Sequence, residues 1–300
     1  MAVKIPFVRD MTFEYGAPQQ VSPLIRRVVA NNPGPFTFRG TGVYIVGRGE
    51  VAVIDPGPDD RAHISALQRA LAGERVSHIF VTHRHLDHSP AARPLAAATG
   101  ARIYASGIAP QFSDDDFIVE AGDDLGFKPD MIASDGGLFS GPGWTLEAIF
   151  TPGHTSDHMC LALREENALF SGDHIMGWST TVVSPPDGDM DTYLASLDKV
   201  QARNFATLWP THGPPVTEVR GFIDAYRAHR MDREAQIIER LHAGQTRIKD
   251  MVAVMYADVD PRLYPAAAHS VLAHMIRLVK VGRVRSDGAP GLNSAYTLAD

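Results

Sequence analysis

The 300-residue chain holds a single cysteine, Cys160, so no intrachain disulfide can form and nothing in its cysteine usage argues for an oxidising compartment. It lacks any run approaching the roughly 20 apolar residues of a membrane span. The first ten residues carry charges at Lys4, Arg9 and Asp10 and no long apolar core, so they do not read as a secretory signal. Cationic excess is missing as well. Net charge is −7; residues 1–220 hold 17 Lys/Arg against 26 Asp/Glu, a balance of −9, and residues 221–300 hold 11 against 9, a balance of +2. An acidic body with a mildly basic tail does not favour non-specific nucleic-acid binding. These lacks point to a cytoplasmic chain with no membrane partner.

Hydrophobic residues at 44% and charged residues at 21% are ordinary for a chain that folds around cores. The length suggests one large domain and a small one, placed at residues 1–222 and 223–300. The stretch that organises the chain is Thr82-His83-Arg84-His85-Leu86-Asp87-His88, which follows the short apolar run Ile79-Phe80-Val81. Three imidazoles and a carboxylate within six residues are metal-ligand chemistry: neutral imidazole and carboxylate both bind zinc, and a tight turn at a strand end can aim them at one point. Asp87 and His88 are adjacent, so they suit a second ion better than the first.

Four other apolar runs end in the same way. Strands expected over 41–47 and 50–54, with a hairpin turn at Gly47-Arg48-Gly49, lead to Asp55-Pro56-Gly57. The alternating run Trp144–Phe150 ends in Thr151-Pro152-Gly153-His154; Ala168-Leu169-Phe170 ends in Ser171-Gly172-Asp173-His174; Ala206–Trp209 ends in Pro210-Thr211-His212. Helices are expected from near Asp59-Asp60, with Gly73 past the end, from Ser89 to about Thr99 and over 192–203. Residues 106–143, including Asp114-Asp115-Asp116, read as loop and hairpin near the site mouth, with the acidic run a solvated face. Asp55, at the rim of a sheet, suits bracing of a metal ligand from behind as well as plain loop bracing. Cys160, inside an apolar strand, reads as a small buried hydrophobe. His63, His78, His229 and His242 read as packing or helix-surface residues, whereas His158 and His174 adjoin motif residues and are candidates for lining the pocket.

With these five strand ends in this order, the sequence resembles the metallo-β-lactamase superfamily over about residues 20–220, which implies an α/β fold, an αββα sandwich. Asn32-Pro33-Gly34-Pro35, His154–Met159 and Phe170–Asp173 are similar to the β-lactamase-like protein 2 group, hydrolases that include endoribonucleases acting on single-stranded RNA. Residue by residue, the resemblance implies one zinc at His83, His85 and His154, a second at Asp87, His88 and His212, and Asp173 bridging them. It further implies Asp87 and Asp173 as the catalytic carboxylates around a metal-bridging hydroxide, with manganese or iron suiting the same ligands. Asp87, a bound water and His158 are the candidates for protonating a leaving oxygen.

The tail reads as helices over 233–243, 248–256 and 266–281 and a two-stranded wing from Arg283 to Leu298, which resembles the small winged-helix appendage of the same group. Such a domain could place His269, His274, Arg277 and Lys280 in a nucleic-acid groove, with Arg283 and Arg285 starting the wing. The alternative is packing on the body or on a second subunit; a homodimer is a candidate assembly. In zinc β-lactamases a Cys often stands where this chain has Asp173, so β-lactam hydrolysis is expected at most as a weak side activity. Single-stranded RNA is the first-ranked substrate. A small-molecule thioester, ester or lactone, as in glyoxalase II-like and lactonase-like enzymes, comes second, and a non-catalytic winged-helix sensor third.

Overall fold

The computed structural model describes residues 4–109, 122–258 and 260–299. One sheet is built from β1 (Gln19–Gln20), β2 (Ile25–Val29), β3 (Gly42–Arg48), β4 (Glu50–Ile54), β5 (Arg75–Phe80), β6 (Arg102–Ala105) and β7 (Met131–Ile132), neighbours in that order. Pairing is antiparallel up to β4 and parallel beyond it, with α1 (Arg61–Ala70) and α2 (Ala92–Thr99) as the crossovers between β4, β5 and β6. A second sheet comprises β8 (Leu138–Gly141), β9 (Trp144–Phe150), β10 (Met159–Leu163), β11 (Ala168–Gly172) and β12 (Thr207–Pro210), in the order β12-β11-β10-β9-β8. Its one parallel pair, β11 with β12, is connected through α3 (Met190–Gln201).

Side chains alternate across a strand, and the alternation here sorts residues into layers. On β4, Ala52 and Ile54 face the second sheet, while Val51 and Val53 face α1 and α2. On β10, Met159, Leu161 and Leu163 face the first sheet, while Cys160 and Ala162 face α3. The result is the αββα sandwich expected from the sequence. Cys160 is fully buried, and burial pushes its thiol up to about 12, as suits a small packing residue.

Several boundaries differ from expectation for local reasons. α2 starts at Ala92 rather than Ser89, because the backbone N–H groups of His88 and Ser89 turn back onto the His85 carbonyl at 2.9 and 3.1 Å. The helix expected from Arg233 is the second half of α4 (Val219–His242), a 24-residue helix that runs through the expected division between residues 222 and 223. Its first half buries Phe222, Ile223 and Tyr226 against the sandwich, and its second half buries Ile237 and Leu241 elsewhere. The expected hairpin material includes β8 paired with β9, while Asp114–Asp116 lie outside the described residues.

The end of α4 joins α5 (Ile248–Met255), α6 (Tyr264–Lys280) and the paired β13 (Val284–Ser286) and β14 (Tyr296–Leu298) around a separate apolar core. This appendage docks on the body through α6. Arg277 Nε and Lys280 Nζ form ion pairs with Asp191 of α3 at 2.8 and 2.7 Å, and Arg277 Nη1 donates to Glu234 of α4 at 2.7 Å. His269 meets Ser184 at 3.0 Å, and His274 lies buried 3.5 Å from Glu234. No helix among the described residues is long and apolar enough to cross a membrane.

Candidate metal centre

The C-terminal ends of β4, β5, β9, β11 and β12 meet at one edge of the sandwich and deliver Asp55, His83, His154, Asp173 and His212 respectively. Asp55 sits at φ +49°, a left-handed conformation that Asp tolerates better than most residues. Gly172 at φ +52° turns β11 so that Asp173 enters the site; a Cβ there would come within 2.5 Å of His158 Nε2.

Ligand atoms gather in three overlapping groups: His83, His85 and His154; His83, His88 and Asp173; and Asp87, His88 and His212, each within 4.8 Å. His83 Nε2 lies 3.0 Å from His85 Nδ1, and Asp87 Oδ2 lies 3.0 Å from His212 Nε2. Asp173 Oδ2 stands 3.6 Å from His88 Nε2 and 3.5 Å from His212 Nε2. Two ligands held at 2.0–2.1 Å on one tetrahedral ion stand about 3.3 Å apart, which is the spacing seen here.

The protonation pattern supports the same conclusion. Thr82 Oγ1 donates to Asp55 Oδ2 at 2.9 Å, so its lone pair receives the His83 Nδ1 proton at 3.0 Å. His88 Nδ1 donates to Asp55 Oδ2 at 3.0 Å, His154 Nδ1 to the Val182 carbonyl at 2.7 Å, and His212 Nδ1 to the Gly40 carbonyl at 3.3 Å. In these four histidines the outer Nδ1 is engaged and Nε2 faces inward, the orientation a metal ligand needs, whereas His85 turns its Nδ1 toward His83 Nε2. Buried inside the cluster, His88 Nε2, His212 Nε2 and Asp173 Oδ1 have no hydrogen-bond partner among the described residues. The donor set fits divalent cations.

Electrostatics divides the cluster. Burial holds the His83 imidazole well below its usual range and lowers His85 to about 3. Burial opposes ionisation of Asp87 and Asp173, yet attraction to His88 and His212 outweighs it and keeps both carboxyls below the ordinary range. Burial would likewise lower His88 and His212, but Asp87 and Asp173 raise both. A neutral imidazole side thus abuts a carboxylate-rich side.

All seven expected ligands converge, and Asp55 stands directly behind them. His158 does not line the opening: Nδ1 engages Thr151 Oγ1 at 2.8 Å, and Nε2 accepts the Asp173 backbone N–H at 3.2 Å. His174 lies fully buried against Tyr193, ring centroids 5.1 Å apart, and belongs to none of the ligand groups. Sequence reading missed Thr82 and Thr211. Thr211 Oγ1 donates to Asp55 Oδ2 at 2.8 Å, so one carboxylate reaches His83 through Thr82, His88 directly and the His212 turn through Thr211. The repeated Thr-His pair at two strand ends was the available signal. Arg84 with Asp157 at 3.1 Å, tying the His83 turn to the His154 turn, had none.

Fold and donor set together define a metal-dependent hydrolase. The metallo-beta-lactamase superfamily profile matches residues 37–212, and a beta-lactamase associated winged helix domain matches residues 248–291. The chain belongs to the metallo-beta-lactamase superfamily. It is 34% identical to the beta-lactamase-like protein 2 homolog of Caenorhabditis elegans, over 89% of this chain and 88% of that protein. It is also 34% identical to an atrochrysone carboxyl ACP thioesterase, AgnL7, of Paecilomyces divaricatus, over 80% of this chain and 73% of the other. Among solved structures, a beta-lactamase domain protein from Burkholderia ambifaria shares the fold with a TM-score of 0.77 at 20% identity, covering 98% of this chain and 97% of that one.

Proposed function

We propose that this chain hydrolyses an acyl thioester to a carboxylic acid and a free thiol, with one zinc held by His83, His85 and His154, a second by Asp87, His88 and His212, and Asp173 shared between them. When bound, the ions supply Lewis acidity, lowering the pKa of a coordinated water and drawing charge from the attacked carbonyl. The chain's own residues supply position. Asp55 fixes the tautomers of His83 and His88, the Val182 and Gly40 carbonyls fix those of His154 and His212, and His158 holds the backbone N–H of Asp173.

The observation that carries the reading is the engagement of α6. Arg277 and Lys280, the cations expected to meet a nucleic-acid backbone, grip Asp191 and Glu234, while His269 and His274 are buried. The leaving group agrees. A thiolate is a stable anion that needs little protonation near neutral pH, and both nitrogens of His158 are already engaged. The thioesterase named among the relatives points the same way. The exposed Arg283, just before β13, and Arg285 on it favour a second reading, cleavage of single-stranded RNA.

Zinc-loaded protein incubated with an S-acyl-N-acetylcysteamine, and separately with end-labelled single-stranded RNA, distinguishes the two. Thiol release that is lost in Asp173→Ala and on chelation supports the thioesterase. RNA cleavage with the same dependence, alongside an intact thioester, overturns it.

A further inference from the structure

We infer that a pocket walled jointly by the sandwich and the winged-helix appendage binds the acyl group of the substrate, and that it selects a planar, aromatic acyl group carrying a carboxylate. This rests on the thioester reading and names the substrate class for that site. The pocket encloses about 310 Å³, the size of a small-molecule site rather than a polymer track. Phe36 and Trp178 wall it from the body; Arg233 of α4, Tyr256 after α5, and Leu263 and Ala267 wall it from the appendage.

Its place relative to the metal ligands is set by Thr181 and Val182, which also line it. Thr181 Oγ1 donates to the Asp173 carbonyl at 2.8 Å, and the Val182 carbonyl receives the His154 Nδ1 proton at 2.7 Å. A group seated there lies against the segment that supports two of the ligands from behind. Trp178 is itself stacked on Phe38, centroids 4.8 Å apart at 17°, which fixes its ring as a wall.

Arg233 supplies the charge selectivity. Its guanidinium lies 4.5 Å over the Tyr256 ring and donates to the neutral Gln236 Oε1 at 2.8 Å. Its other acceptor is the Met255 carbonyl at 3.5 Å, and among the described residues it makes no ion pair with a carboxylate, in a chain whose net charge is −7. A half-buried guanidinium stacked on one ring, in a pocket that Phe36 and Trp178 also line, without an acidic partner among the described residues, matches a ring-borne carboxylate. The thiol half of the substrate is excluded as the anion by testing thioesters of N-acetylcysteamine, which carries no phosphate.

The test compares benzoyl, 4-carboxybenzoyl and 4-(methoxycarbonyl)benzoyl thioesters of N-acetylcysteamine, and the binding of terephthalate to metal-loaded protein by calorimetry. The pocket predicts that wild type prefers the carboxylated thioester over its methyl ester at least about tenfold in kcat/KM. Arg233→Gln should reduce that ratio to near unity and weaken terephthalate at least about tenfold, and Arg233→Lys should restore part of both. No charge preference in the wild type, or a ratio and affinity unmoved by Arg233→Gln, overturns the inference. Should the wild type turn over none of the thioesters, the thioester reading fails by itself, and the calorimetric comparison still decides the pocket: terephthalate bound by wild type and lost in Arg233→Gln supports it, and equal binding overturns it.

Discussion

Asp55 Oδ2 receives the Nδ1 proton of His88 at 3.0 Å, with both side chains sealed from solvent. The same carboxylate receives Thr82 and Thr211, so the turns after β5 and β12 are both tied to one buried group at the end of β4.

Asp55→Asn is therefore expected to weaken metal binding by about 10–100-fold while the chain still folds, because an amide cannot accept from all of these donors at once. Metal affinity by competition with a chromogenic chelator, read beside circular dichroism, measures it. Unchanged affinity would reduce Asp55 to a loop brace.

Gly172→Ala is expected to destabilise the chain by about 1–3 kcal/mol, since φ is +52° and the new methyl would press on His158 Nε2. Because His158 holds the Asp173 backbone N–H, metal affinity should fall along with the melting temperature. A stable variant with normal affinity would show that this turn can relax.

Acid should loosen the appendage. Burial raises Glu234, but His274 and Arg277 outweigh it and leave the carboxyl below its ordinary value. A carboxyl lowered by folding stabilises above its unfolded pKa and loses that contribution as pH falls through the folded value. Burial also lowers His274, so below its ordinary value of 6.5 the unfolded chain takes up a proton that the folded chain resists. Both effects remove stability toward acid. Glu234→Gln should cost about 1–3 kcal/mol near neutral pH and flatten the acid limb of a melting-temperature profile, whereas an unchanged profile would remove Glu234 from the docking.

The candidate cluster was legible because its members follow apolar runs at the point where the strand period breaks, as in Phe80-Val81-Thr82-His83. The layers came from the family resemblance and not from strand pattern, because Val51 to Ile54 are apolar without a break and only the structure shows them facing two different environments. α4 was not legible as one helix. It is buried on different faces along its length and buries Arg230 and Glu234 as well, so no single apolar stripe marks it. β2 was hidden by Arg26 and Arg27 in its middle. The directions of His158 and His174 were beyond the sequence, since adjacency to a ligand does not say whether a side chain faces the ions or the core. Carbonyl partners such as Gly40 and Val182 belong to distant loops and carry no side-chain signal.

The most direct test of the two-metal centre is to strip the protein with chelator, add zinc back in steps, and follow bound metal by elemental analysis together with thiol release from an acyl thioester. Two ions per chain, with turnover rising as they bind and absent in Asp173→Ala, is the predicted result. Saturation at one ion per chain or fewer, or turnover indifferent to metal, would contradict it.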